Sequence, residues 1–370
     1  MTPAVFIGAR IYRGSSYGPR HPLSVQRVPA VTDLCRALGW LPAEQYRTSP
    51  RAKPGALLGF HTTAYLDALQ AAEATQRVSC KVRERHGLGT LSNPVFPEMF
   101  RRPATAVGGG LLAAELVAPG GAVFNPGGGT HHGLADRAAG FCYLNEPVIT
   151  IRRLLEMGLG PVAYVDIDAH HGDGVELAFY GHPDVRVISV HEQGRWPFTG
   201  AREDRGGGAA FNLPVPRDLN DTEFALLLET AILPAVSAIR PATIFLQCGA
   251  DALAEDPLSR LALSNRSHVA ALRALRPLAP RLIVSGGGGY NPWSTARCWT
   301  AVWGELAGYP CPDRLPPQAQ GVLESLTWSR KGRPSASLLT TLQDVPRHGP
   351  LRPAVRETAL AIAARLRTGL

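Results

Sequence analysis

The sequence predicts an α/β fold, a central parallel sheet with helices on both faces, built as one domain. Two observations predict it. Short apolar runs rich in β-branched residues alternate with helix-length segments, the pattern of strand–helix–strand units that assemble a parallel sheet. These runs also end, one after another, in Gly-rich or acid- and imidazole-rich sequence. An open α/β sheet binds its ligands at such strand ends.

Taken in order, the run Ala122-Val-Phe-Asn125 passes into Pro-Gly-Gly-Gly-Thr-His131-His132. Val162 to Ile167 carries no charge before Asp166 and reads as a buried strand; it is followed by Asp168, His170, His171 and Asp173, punctuated by Gly172 and Gly174. Val185-Arg-Val-Ile-Ser-Val190 leads to His191, Thr243-Ile-Phe-Leu-Gln247 to Cys-Gly-Ala-Asp251, and Arg281-Leu-Ile-Val-Ser285 to four glycines and Tyr290. Helices are predicted near 104–118, 144–157, 221–239, 264–276 and 293–306, with a last one over 356–367. The Pro-rich stretches Pro310 to Pro317 and Pro346 to Pro353 read as surface loops.

Composition bounds the function. A hydrophobic fraction of 45% beside 18% charged residues describes a soluble globular chain with ample material for a core. The formal charge is +8, yet arginines such as Arg83, Arg101 and Arg152 are scattered and form no dense run. A solvated basic surface fits this better than a nucleic-acid groove, and the charge would help attract an acidic protein or an anion. The six cysteines show no Cys-x-x-Cys pair, the N-terminus lacks the build of a secretory signal, and no apolar run reaches bilayer length. A reducing cytoplasm, with no membrane partner, is the predicted compartment.

The chemistry follows from the strand ends. Asp168 and His170 stand two apart and leave a strand end on the same side. With Asp251 they supply three ligands and leave room for water, the arrangement of a catalytic rather than a structural zinc site. Such a set accepts Fe²⁺ as well. His131 and His132 present two imidazoles to one small space, and Asp166 and Asp173 are carboxylates suited to fix their tautomers. A phenol at Tyr290, delivered by Gly286 to Gly289, would donate to an oxyanion. A merely polar turn explains this cluster poorly, because so much charge is costly to bury without a cation to pair with. The glycines match neither a dinucleotide fingerprint nor a P-loop. Together the parts describe hydrolysis of an amide or ester without an organic cofactor.

These residues resemble the zinc-dependent histone deacetylase superfamily, including bacterial acetoin-utilisation-type deacetylases and acetylpolyamine amidohydrolases. The likeness runs from His21-Pro-Leu-Ser-Val-Gln-Arg27 through Phe60-His-Thr-Thr-Ala-Tyr65, Asn93-Pro-Val-Phe96 and Gly140-Phe-Cys-Tyr-Leu-Asn145 to Gly286–Trp299, a core of about residues 15–310. It implies an arginase/deacetylase-type domain with a parallel sheet of about eight strands. It further implies one Zn²⁺ on Asp168, His170 and Asp251, with His132 as general base and acid paired to Asp173. His131, paired to Asp166, becomes an electrostatic partner, and Tyr290 polarises the acyl carbonyl. Gly140, Phe141 and Trp196 would line the acyl-lysine channel, with Leu258 near the rim. A structural K⁺ would take Asp166 and Ser189 side chains and the carbonyls of Asp168, His170 and Val190. Arg27 would line an internal pocket for the leaving acetate.

Two positions depart from the family pattern. Ser92 stands where a rim aspartate grips the substrate backbone, and Trp196 stands where the channel wall is usually Phe. The reading is a metal-dependent deacylase of N-ε-acetyl-lysine in proteins, with an acetylated polyamine, another small amide or a longer acyl chain as the alternative substrate. A two-metal, arginase-like site is disfavoured because position 253, where a bridging carboxylate is needed, is Leu. A non-catalytic scaffold would be expected to have lost a ligand, the base or Tyr290, and none is missing. The oligomeric state is not legible.

Overall fold

A computed structural model describes residues 3–330 and 333–368. Eight strands form one sheet: β1 (Val5–Gly8), β2 (Tyr46–Thr48), β3 (Gly121–Asn125), β4 (Val162–Asp166), β5 (Val185–Glu192), β6 (Ala210–Val215), β7 (Thr243–Gln247) and β8 (Arg281–Ser285). The spatial order is β2-β1-β3-β8-β7-β4-β5-β6 and every neighbouring pair is parallel. All the strands therefore end at one edge. The strands that carry the chemical motifs, β3, β8, β7, β4 and β5, are contiguous there, which brings stretches far apart in sequence to one place.

Side chains alternate across the sheet as the period of two requires. Phe124, Ala163, Val165, Ile188, Leu246 and Val284 pack on one face with Leu34, Leu272, Trp299, Trp303 and Ile362. Those partners belong to the helices Arg27–Ala37, Asn265–Leu275, Pro292–Ala307 and Pro353–Arg367. On the other face Val123, Val162, Tyr164, Val187, Phe245 and Ile283 meet Val117, Ile151 and Val175 of Arg101–Val117, Glu146–Glu156 and Asp173–Ala178. Each large apolar side chain removed from water in this way contributes about 1.5–3 kcal/mol.

Two helix starts lie directly behind the motifs and hold them. The Asn145 side chain accepts the Val148 N–H at the start of Glu146–Glu156, and Asn291 accepts from Trp293 and Ser294 at the start of Pro292–Ala307. In both, a proline in the first turn costs no hydrogen bond.

The strands β3, β4, β5, β7 and β8 and all six predicted helices are present, with ends shifted by up to three residues. The predicted helix 221–239 contains a wider π turn over Leu228–Ile232. Strands β1, β2 and β6 were not legible. β2 and β6 are the sheet edges; β2 has three residues and β6 carries Asn212 and Pro214, which break an apolar run. Among the described residues no helix is long and apolar enough to cross a membrane.

Candidate active site

At the ends of β4 and β7, one donor atom from each of Asp168, His170 and Asp251 lies within 4.8 Å of the others. His170 Nδ1 faces Asp251 Oδ2 at 2.9 Å and Asp168 Oδ1 at 3.3 Å. The remaining carboxylate oxygens are turned outward to backbone donors: Gly288 N–H reaches Asp168 Oδ2 at 2.6 Å and Ala169 N–H reaches Asp251 Oδ1 at 2.9 Å. Burial alone would lower the His170 pKa, but the two carboxylates outweigh it and push it up to about 10. Two buried acids converging on one imidazole nitrogen are costly without a cation, so the donor set fits one divalent ion.

The glycine run of the last motif makes this cluster packable. A β-carbon at Gly288 would lie 1.9 Å from Asp251 Oδ2, and one at Gly249 would lie 2.1 Å from Asp168 Oδ2. Gly287 and Gly289 adopt φ of +152° and +141°, a conformation that favours glycine. The run turns sharply around both carboxylates and delivers Tyr290, which is 7% exposed. Burial and the charges of Asp251 and Asp168 hold the Tyr290 phenol well above its ordinary pKa, so it keeps its proton and can donate it in a hydrogen bond.

From β3 the chain brings in His131 and His132, with ring centroids 3.9 Å apart. His131 Nδ1 pairs with Asp166 Oδ2 at 2.8 Å, and His132 Nδ1 with Asp173 Oδ1 at 2.7 Å. The two imidazoles are pushed apart. His131 is raised to about 9, because Asp166 and Asp168 outweigh its burial. His132 is lowered to about 4 by burial and by the charge of His131. A neutral imidazole beside a charged one is the division of labour a general base requires.

Outward of this cluster lies a mouth of ≈ 400 Å³ lined by Ser92, Gly140, Phe141, Trp196, Leu258 and Tyr290, with His132 and His170 at its floor. Inward lies a smaller cavity of ≈ 50 Å³, lined by Arg27, Arg102, Tyr12, His131, Asp168 and Tyr290. His132, Gly140, Phe141 and Tyr290 line both. Among the described residues Arg27 Nε and the Tyr12 hydroxyl are buried without a protein partner. Such atoms beside a space this small suit a few waters or a small carboxylate. The Arg27 guanidinium otherwise donates to the Gly287 carbonyl at 2.5 Å and stacks over Trp299.

Of the residues expected around potassium, two side chains are neighbours across the sheet. The register of β4 and β5 sets Asp166 opposite Ser189, and both are fully buried beside Val190. The Ser189 hydroxyl lies 3.0 Å from His191 Nδ1.

Several contributors escaped the sequence reading. Tyr164 donates its hydroxyl to Asp166 Oδ2 at 2.8 Å, and its place two residues before Asp166 in a strand was a usable signal. Gln247 reaches His131 Nδ1 at 2.8 Å. Asp256, buried and raised to about 8 by burial and by Asp251, accepts the Tyr290 N–H at 2.7 Å and the Leu258 N–H at 2.8 Å. Nothing in its local sequence marks that role.

Comparison with known proteins gives this geometry its context. The family described as the histone deacetylase domain matches residues 21–306. The acetoin utilization protein AcuC of Bacillus subtilis is 34% identical over 332 residues, covering 86% of each chain. Histone deacetylase 9 of Arabidopsis thaliana is 34% identical over 313 residues, covering 82% of this chain and 73% of that one. Among solved structures, a histone deacetylase homologue complexed with SAHA superposes with a TM-score of 0.93 at 35% identity, covering 98% of this chain and 100% of that one. A homologue from Aquifex aeolicus gives 0.91 at 34% identity over the same shares. Likeness of this extent, over most of the chain, makes it a hydrolase of the histone deacetylase family, on its AcuC-like branch.

Proposed function

We propose that the protein is a metal-dependent amidohydrolase that removes the acetyl group from N-ε-acetyl-lysine in proteins, carried by one catalytic domain. The observation that carries this reading is the convergence of the Asp168, His170 and Asp251 donors within 4.8 Å of one another, beside two His–Asp pairs and a protonated phenol. A divalent cation on those three residues, Zn²⁺ or Fe²⁺, would supply Lewis acidity and lower the pKa of water. A structural K⁺ at Asp166 and Ser189, completed by the carbonyls of Asp168, His170 and Val190, belongs to the same reading.

The chain's own groups perform the rest. The acyl-lysine stem passes between Phe141 and Trp196, over Gly140, with Leu258 and Ser92 at the rim. His132, neutral and held by Asp173, accepts a proton from the attacking water. Tyr290 donates to the carbonyl oxygen as negative charge develops there. His132 then returns the proton to the lysine nitrogen, which leaves as an amine. His131, charged and anchored by Asp166, stabilises the developing negative charge. The carboxylate product passes inward toward Arg27. Six free thiols support a reducing, cytoplasmic setting.

The test is turnover of an acetyl-lysine peptide by the wild type and by His132→Ala and Tyr290→Phe, with metal content measured in each. The expected result is loss of turnover by about 10²–10⁴-fold in either variant, with about one metal per chain retained. Wild-type rates in both variants would sink the assignment.

A further inference from the structure

Resting on that reading, we infer that the mouth selects acyl-lysine flanked by acidic residues and turns away cationic acetylated polyamines. A polyamine mouth needs unpaired carboxylates. Among its lining residues the mouth has one, Glu192, and that carboxylate is already committed. It is 3% exposed and accepts from Arg195 Nη2 at 2.8 Å and from the Arg260 backbone N–H at 2.8 Å, with Arg217 Nε at 3.6 Å. The two acids that follow Asp251 in sequence, Glu255 and Asp256, turn elsewhere. Asp256 is spent on the Tyr290 and Leu258 backbone, and Glu255 pairs with Arg347 at 2.6 Å.

One carboxylate against two guanidinium groups leaves the mouth with excess positive charge. The Arg217 side chain is 73% exposed, so that charge faces the incoming substrate. The rim offers no offset, since position 92 is the neutral Ser. The net charge of +8 adds a long-range pull of the same sign. A substrate arriving with carboxylates beside its acyl-lysine meets Arg217 and Arg195 favourably. One with ammonium groups a few bonds from the amide meets like charge with no carboxylate free to pair.

The experiment compares three labelled peptides sharing one acetyl-lysine core, flanked by Asp and Glu, by Gly and Ser, or by Arg, beside N-acetylputrescine. It uses the metal-loaded wild type, Arg217→Gln and Arg217→Glu. The expected kcat/KM of the acidic peptide exceeds that of the basic one by about tenfold at low salt, with the gap shrinking as salt rises. It should shrink in Arg217→Gln and invert in Arg217→Glu, and N-acetylputrescine should be the poorest substrate. Fluorescence anisotropy of the same peptides should give the same order of affinities without any turnover. Equal values for the three peptides, or a preference for N-acetylputrescine, overturns the inference and leaves the deacetylase reading standing. Ordered binding with no turnover of any peptide does the reverse.

Discussion

Trp196 stands edge-on to His132, with ring centroids 4.6 Å apart and planes at 73°. A β-carbon at Gly140 would lie 2.4 Å from the indole and 2.5 Å from His132 Cδ2. The indole, the imidazole and the bare glycine backbone therefore form one tight wall. Gly140 has no spare space, and its φ of +50° adds a second reason for glycine.

Trp196→Phe should widen the channel at that wall. The expected outcome is a rise of about tenfold in turnover of a butyryl-lysine peptide relative to the acetyl one, the scale on which a pocket discriminates methylenes. Gly140→Ala should lower turnover on both by about 100-fold, since it displaces His132, the proposed base. Steady-state rates on the two peptides decide it. An unchanged butyryl-to-acetyl ratio in Trp196→Phe would show that the indole does not set the acyl length.

The His132–Asp173 pair predicts a pH profile. Burial and the neighbouring His131 hold His132 at about 4, while Asp173 acts in the opposite direction. His132 is therefore neutral above about pH 5, competent for the proposed role of base, and loses that competence as pH falls further. Asp173→Asn should push the acid limb of kcat/KM to still lower pH and reduce kcat by about 10–100-fold, because the tautomer is no longer held. An acid limb that moves upward, or a kcat that is unchanged, would contradict the pairing.

Removing the metal should destabilise the fold as well as stop turnover. Without a cation, Asp168 and Asp251 face each other across a single imidazole in a site almost closed to water. An ion bound far below its working concentration stabilises by about 4 kcal/mol. For a chain of this size, dialysis against a chelator should lower the melting temperature by about 5 °C, and Zn²⁺ or Fe²⁺ should restore it. The same ion should have no effect on Asp251→Ala. A melting temperature indifferent to chelation in the wild type would place the cation elsewhere.

What the sequence disclosed, and what it withheld, follows from how each residue acts. Asp168, His170, Asp251, His131, His132 and Tyr290 sit at the ends of apolar strands, and a parallel sheet brings strand ends to one edge whatever the loops between them do. They were legible for that reason. Asp256 was not, because it reaches Tyr290 through a loop whose course depends on tertiary packing. Nor could the charge of the mouth be read from the sequence: Glu192 is spent on arginines from two segments, and only coordinates show that. The edge strands β2 and β6 were missed because an edge needs less apolar sequence than a strand flanked on both sides.

Glu146 links stability to the loop that carries His131. It is fully buried, and its Oε2 accepts the Gly129 N–H at 2.8 Å, just ahead of His131, while Thr150 donates to Oε1 at 3.1 Å. Burial raises its pKa to about 7, although those hydrogen bonds oppose the rise. The folded state therefore holds this proton more tightly than the unfolded chain does. Its contribution to stability is complete below about pH 4.5 and is lost as pH rises through about 7, on the order of 3 kcal/mol in all. The melting temperature should fall between pH 5 and pH 8, and Glu146→Gln, neutral throughout, should flatten that fall while keeping an acceptor for Gly129. Glu146→Ala removes the acceptor and leaves a cavity behind His131, so it should lose both stability and turnover. A Glu146→Gln melting curve that falls with pH as steeply as the wild type would show that some other buried acid carries the effect.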